Sequence, residues 1–192
     1  MHKKYTLPLS IFIVFENLNA VIWTSESFLP NSYFIYINKS WLYPINLFFK
    51  NEVFLSNATL LENSAIDNKK FFKVNTKVDL FLKKNRITLF YLYYFLYTNT
   101  KLNLLTSYNN LKLSQIPSVD KIFKSASWLE RETNEMFKIN FTNKTDVRRL
   151  LLDYTKQEYP LLKDFPTEGF NDVYYNFFED QVVYTTNTIV EL

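Results

Sequence analysis

One glycine, Gly169, serves a chain of 192 residues, where an average soluble protein gives glycine about seven per cent of its positions. Nearly every turn must therefore be made by residues that carry a Cβ, and Asn, Asp and Ser reach left-handed backbone angles most readily. A glycine-rich phosphate loop is excluded. The wider composition points the same way: 14 Tyr and 19 Phe, with Lys far outnumbering Arg, is the set that A+T-rich codons specify. Much of it is genome bias rather than chemistry.

The length allows one domain with a sizeable core and an extended tail. The chain has no Cys, which removes disulfides, thiolate zinc sites and cysteine-held iron–sulfur clusters together. Its single histidine is His2, so the common nucleophile–histidine triads are unavailable and a free-standing hydrolase lacks its residues. A net charge of +3 is weak support for an anionic partner. Ile87–Tyr97 is apolar for 11 residues, about half of the roughly 20 a spanning helix needs, and reads as a buried strand. Leu7–Trp23 is broken by Glu16, Asn17 and Asn19 and is expected to be a core helix or strand. The first ten residues resemble neither a transit peptide nor a secretory signal, so the protein is expected to work where it is made.

Ser32–Asn38 reads as a strand and Ser40–Asn51 as a helix that tolerates Pro44 in its first turn. Arg86–Tyr97 and Lys101–Tyr108 are apolar runs separated by Thr98, Asn99 and Thr100, the pattern of a hairpin. After Pro117 the character changes. Ser118 is placed to cap a helix running to Phe137. At about 100° per residue, Val119, Ile122, Phe123, Ala126, Thr133 and Phe137 share one face. Glu130 falls in the middle of that face, while Trp128 lies opposite with Glu132 and Glu135. Either the helix shifts and leaves Glu130 solvated, or Glu130 is buried and needs a cation. Arg148 and Arg149 are the expected partners, because a guanidinium grips a carboxylate with two hydrogen bonds. Glu130 and Glu132 cannot act as an acid/base pair, since residues two apart on a helix diverge.

In KDFPTEGF, Pro166 fixes its own backbone and Gly169 permits a positive φ three residues on, a rigid corner flanked by Lys163 and Asp164. Beyond it, Val173–Phe178 and Val182–Thr186 read as a two-stranded ribbon around Glu179–Gln181, and Thr188–Leu192 is expected to order only against a partner.

The series SASWLERETNEMF, TDVRRLLLDY and PLLKDFP, followed by Gly169, resembles the signature of the thirty-kilodalton subunit of respiratory complex I, NADH:ubiquinone oxidoreductase. That family's pattern runs W-x-E-R-E-x-x-D-M-F-G, then D-L-R-R-I-L-x-D-Y, then H-P-L-R-K-D-F-P-L-x-G. Trp128, Glu130, Arg131 and Glu132 match the first block. Asp146, Arg148, Arg149 and Asp153 match the second, and Lys163, Asp164, Phe165, Pro166 and Gly169 the third. Departures are local: Lys138 stands where the family has glycine, Lys144 and Thr145 where it has His-Pro, and Leu162 where it has arginine.

The resemblance implies an α+β fold, a mixed β-sheet packed with helices over residues 1–137, followed by an extended C-terminal arm over 138–192 that packs on partner subunits. It implies a non-catalytic core subunit of the quinone-reducing module in the peripheral arm, matrix-facing at the mitochondrial inner membrane. Iron–sulfur clusters, FMN and ubiquinone would be held by partner subunits, with none bound by this chain, no nucleic acid and no membrane span of its own. The competing expectation, an organelle-encoded ribosomal or RNA-binding protein, suits the Lys and aromatic content. Acids interleave with bases from residue 130 to 164, however, rather than leaving one basic face.

Overall fold

A computed structural model describes residues 21–24, 32–52, 57–69, 85–108, 115–154 and 157–187. Most of Leu7–Trp23 and all of Thr188–Leu192 lie outside the described residues, and the sequence expectations for them with them.

Five strands form the main sheet, in the order β1-β2-β5-β4-β3. They are β1 (Val21–Thr24), β2 (Ser32–Tyr36), β3 (Ala58–Asp67), β4 (Ile87–Phe95) and β5 (Thr100–Tyr108). β2 and β5 run parallel, and the other neighbours antiparallel. The expected hairpin is β4–β5. Its turn is closed by Asn99 at φ 49°, one of the Cβ-bearing residues the shortage of glycine calls for. Ile87, Leu89, Tyr91, Tyr93 and Phe95 alternate onto one face and are buried, because successive strand residues point to opposite sides.

That face is covered by α1 (Leu42–Asn51), which follows a short 3₁₀ turn at Lys39–Trp41. Pro44 sits in the first helical turn, where a missing N–H costs nothing. Phe49 stands edge-on to Tyr93 and Phe95, with ring centroids 5.4 and 5.3 Å apart. The buried Asn46 accepts the Tyr93 hydroxyl and donates to Leu42 O at 2.7 Å. One polar side chain thereby satisfies a tyrosine that α1 has sealed from water.

The second helix, α2 (Ala126–Phe137), has its N-cap at Ser125 and so starts seven residues later than expected. Residues 118–125 fold as turns, with Ile122 N and Phe123 N both bonded to Val119 O. Ser118 therefore caps no helix. Its hydroxyl accepts from Asp120 N and donates to Glu130, so the side chain meant for a cap is used by a distant carboxylate. Val119, Phe123, Ala126, Thr133 and Phe137 are nonetheless all buried.

α2 lies along the edge strand β3. Leu61 is an extra residue in the β3–β4 register, between Leu60 opposite Tyr93 and Glu62 opposite Leu92. Such a bulge changes which way later carbonyls point, so Leu60 O and Asn63 O both face α2. They accept from Ser125 Oγ at 3.1 Å and Thr133 Oγ1 at 3.0 Å. The helix covers an edge that would otherwise be open to another strand.

Beyond α2, β7 (Asn140–Thr142) pairs in parallel with β6 (Gln115–Pro117). Ile139 and Phe141 are buried in the core, so the body continues to Thr142. The last described elements are the antiparallel strands β8 (Asn171–Asn176) and β9 (Gln181–Thr186), the ribbon expected from the sequence. Asp180, at φ 51°, turns its corner.

Candidate functional site

Glu130 is buried, with none of its surface exposed. Its carboxylate accepts from Ser118 Oγ at 2.6 Å, Val119 N at 2.9 Å and Lys144 Nζ at 3.1 Å. Burial pushes its pKa up, against the hydrogen bonds from Ser118 and Val119 and the Lys144 charge, which hold it down. The Lys144 side chain is 2 % exposed and also donates to Ser127 O at 3.1 Å. The cation is thus Lys144, correcting the expected Arg148 or Arg149. Both arginines are occupied elsewhere. Arg148 grips Asp146 through Nε and Nη2 at 3.1 and 2.8 Å, and Arg149 Nη1 donates to Asp153 O at 2.6 Å.

The guanidinium that does turn inward is Arg131, and it holds backbone. Nε donates to Arg148 O at 2.8 Å and Nη2 to Arg149 O at 3.0 Å. Nη1 stands 3.4 Å from Asp146 Oδ2, and the cation lies 5.2 Å from the centre of the Trp128 ring. Trp128 points outward, 61 % exposed, as its position on the helix predicts. Glu132 is exposed beside it. Glu135, expected on that outer face, is instead buried. Its carboxylate accepts the N–H groups of Leu150, Leu151 at 2.8 Å and Leu152 at 3.4 Å.

Arg131 and Glu135 are four apart on α2, hence neighbours on its surface. One supplies donors to two consecutive carbonyls and the other an acceptor to three consecutive amides. An irregular segment has no ladder partners of its own, and here α2 provides them.

A second anchor joins the arm to the far end of β3. Asp67 accepts Arg86 Nη2 at 3.1 Å, Arg86 Nε at 3.3 Å, Lys69 N at 3.0 Å and Lys163 N at 3.1 Å. Burial raises its pKa, but Arg86 and the amides outweigh that and hold it below the usual range. Asp164 pairs with Lys69 and Arg86, and the Lys69 hydrogen bond is the main cause of its lowered pKa. Lys163 contributes its amide while its side chain stays exposed. Leu162 packs into the core. In the corner itself, Gly169 N donates to Pro166 O at 3.1 Å with φ at 74°. A Cβ on Gly169 would meet only the Phe165 ring, at 3.9 Å, so the backbone angle rather than crowding requires glycine there. Phe165 and Phe170 close the corner edge to face, 5.2 Å apart.

The named motif residues thus divide into four places. Trp128, Arg131, Asp146, Arg148 and Arg149 gather around the α2 grip; Lys163, Asp164, Phe165, Pro166 and Gly169 form the corner; Asp153 reaches Tyr184 of the ribbon, whose hydroxyl donates at 3.0 Å. Glu130 stands apart inside the body. Sequence reasoning missed Ser118, Lys144, Glu135, Asp67 and Arg86. Only the four-residue spacing of Arg131 and Glu135 carried a signal.

A family model described as the 30 Kd subunit of respiratory-chain NADH dehydrogenase matches residues 35–171, which contain the grip and the corner. The chain belongs to this family. NADH-ubiquinone oxidoreductase subunit 9 of Paramecium primaurelia is 32% identical over 189 residues, covering 98% of this chain and 88% of the relative. The mitochondrial NADH dehydrogenase [ubiquinone] iron-sulfur protein 3 of Candida albicans is 32% identical over 150 residues, 78% of this chain and 49% of that one. Among solved structures, a trypsin-resistant fragment of Nqo5 superposes with a TM-score of 0.58 at 14% identity, covering 72% of this chain and 97% of the fragment. That likeness bears on the fold: the α+β architecture expected of the thirty-kilodalton subunit is the one found. Membership makes the chain a subunit of an NADH–quinone oxidoreductase and gives the ribosomal or RNA-binding alternative no support. No helix among the described residues is long and apolar enough to cross a membrane.

Proposed function

We propose that this chain is a non-catalytic scaffold subunit in the quinone-reducing module of the peripheral arm of proton-translocating NADH:ubiquinone oxidoreductase. It stands on the matrix face of the mitochondrial inner membrane. Its partners are the neighbouring iron–sulfur and quinone-site subunits, and the electron carriers, FMN, iron–sulfur clusters and ubiquinone, sit in them. The Candida relative is named an iron-sulfur protein, but a chain with no Cys and one His lacks the thiolates that hold such a cluster.

The observation that carries this reading is the division of labour around α2. The helix spends charged side chains, Arg131 and Glu135, on fixing the backbone of residues 148–152. The arm beyond presents Phe177, Phe178 and the ribbon to solvent. A rigidly based, apolar, exposed extension is what a scaffold offers to neighbours. The test is purification of the native assembly with mass spectrometry across the fractions. Comigration with NADH:quinone oxidoreductase activity and the iron–sulfur subunits is expected; comigration with ribosomes would overturn the proposal.

A further inference from the structure

Beside the corner at Gly169 the arm folds around a pocket of about 150 Å³, open to solvent and lined by Glu158, Tyr159, Leu162, Asp164, Phe165 and Phe170. A cavity of about that volume holds a group the size of benzene. Leu162 belongs to the core and Tyr159 packs against it, which ties the lining to the body. Phe165 and Phe170 meet at 86° with their centroids 5.2 Å apart, so their rings make two walls at right angles. The turn from Pro166 to Gly169 brings them together by reversing the chain between them.

Aromatic faces carry the negative end of a quadrupole and attract cations. Tyr159 holds one on its ring, since Lys138 Nζ lies 4.9 Å from the ring centre without lining the pocket. Two carboxylates complete the lining, and they differ in what they have to do. Asp164 is occupied: together with Asp67 it takes Lys69 and Arg86, two carboxylates against two cations. Glu158 is half-buried, and no ion pair among the described residues ends on it. The pocket thus keeps a negative charge without a cation among aromatic walls.

That combination selects its ligand. An anion is repelled, and a neutral apolar group would cover the Glu158 carboxylate without balancing it. A primary ammonium or a guanidinium brings N–H donors that each need an acceptor, whereas the walls are chiefly ring and methyl surface. A quaternary ammonium has no donor to satisfy, and its methyl groups carry the charge onto the ring faces.

We propose that the pocket of Glu158, Tyr159, Phe165 and Phe170 binds a quaternary ammonium group of the kind that choline carries. The site stands independently of the scaffold reading. Its rings take the methyl groups and Glu158 balances the charge. Free choline and the headgroup of phosphatidylcholine present the same chemistry to it.

The test is a titration of choline chloride into the full-length chain, with potassium chloride at equal ionic strength as reference, followed by nuclear magnetic resonance on the rings of Tyr159, Phe165 and Phe170. A saturable shift with half-saturation at about 1–10 mM is expected, the strength a few cation–aromatic contacts supply. The uncharged isostere 3,3-dimethyl-1-butanol and the primary amine n-butylamine should each bind about tenfold more weakly. Tyr159→Leu and Glu158→Gln should each weaken choline about fivefold or more, while Tyr159→Phe keeps its affinity. Flotation of the chain with phosphatidylcholine vesicles, reversed by free choline, would assign the group to a lipid headgroup; no flotation would assign it to a soluble cation. No saturable shift up to about 0.1 M choline would overturn the proposal. An isostere that binds as well as choline would also overturn it, by making the pocket merely apolar, and so would an amine that binds better or a Glu158→Gln chain with unchanged affinity.

Discussion

The body and the arm are held by different means. In the body, side chains pack on side chains: Phe49 against Tyr93 and Phe95, and α2 across the sheet. In the arm, side chains of the body hold backbone of the arm: Arg131 two carbonyls, Glu135 three amides, Asp67 the Lys163 amide. Apolar packing fixes a shape through area and volume, whereas the polar grips fix a path with little burial. The arm is therefore the part whose attachment can be weakened while the body survives.

The sharpest way to break that contrast is inside the body. Lys144→Met leaves Glu130 buried without its cation, and a loss of about 3–5 kcal/mol in denaturant unfolding is expected. The pH dependence has a definite sign. A carboxyl whose folded pKa is raised favours its protonated form, so the variant should regain stability as pH falls and lose it as pH rises through the folded pKa of Glu130. A loss below about 1 kcal/mol, the size of a surface pair, would mean that Glu130 is solvated.

Glu135→Ala should act on the arm alone. Three amides lose a charged acceptor, with each such hydrogen bond contributing about 1.5–3 kcal/mol. Proteolysis should then cut between residues 145 and 160 while the unfolding midpoint of the body moves little; equal losses in both would erase the contrast.

Acid tests the same seam more gently. Asp67, Asp120, Asp146 and Asp164 all have lowered pKa values. For Asp164 the main cause is Lys69, for Asp146 it is Arg148, and Asp120 is held down against burial by Thr145. Groups with depressed pKa stabilise above their unfolded pKa and lose that contribution as pH falls through the folded one. Amide exchange at Lys163 and Thr145 should therefore accelerate below about pH 4, before exchange in β4.

The smallest effects concern the left-handed corners. Lys138 ends α2 at φ 59°, where a Cβ costs about 1 kcal/mol. Lys138→Gly should gain about 0.5–1 kcal/mol, and Gly169→Ala, at φ 74°, should lose about the same. Calorimetry resolves both signs.

These comparisons also show what the sequence made legible. The β4–β5 hairpin and α1 were written in local patterns, an alternating apolar run and a proline in a first turn. The ribbon was written in two short β-branched and aromatic runs with Asp180 at its turn. The positive-φ sites Asn99, Asn143 and Asp180 follow from the shortage of glycine. The start of α2 was not legible, because Ser118 and Val119 are drawn away by Glu130, twelve and eleven residues on. A local helical pattern lost to a distant carboxylate. Burial of Glu130 could be read from its place on an apolar face, but Lys144 could not be told from the arginines, since charge gives no address. Within residues 148–152 the grips left no trace, because a carbonyl or amide is the same whatever residue owns it; only the spacing of Arg131 and Glu135 on α2 marked them.

That anonymity has an evolutionary consequence. A segment recognised through its main chain is free to exchange its side chains, so the leucines at 150–152 can drift without any answering change at Arg131 or Glu135. Paired substitution across lineages, the usual trace of spatial contact, will be silent at this junction, and the pressure falls wholly on the two residues of α2 and on the length of chain between them and the corner.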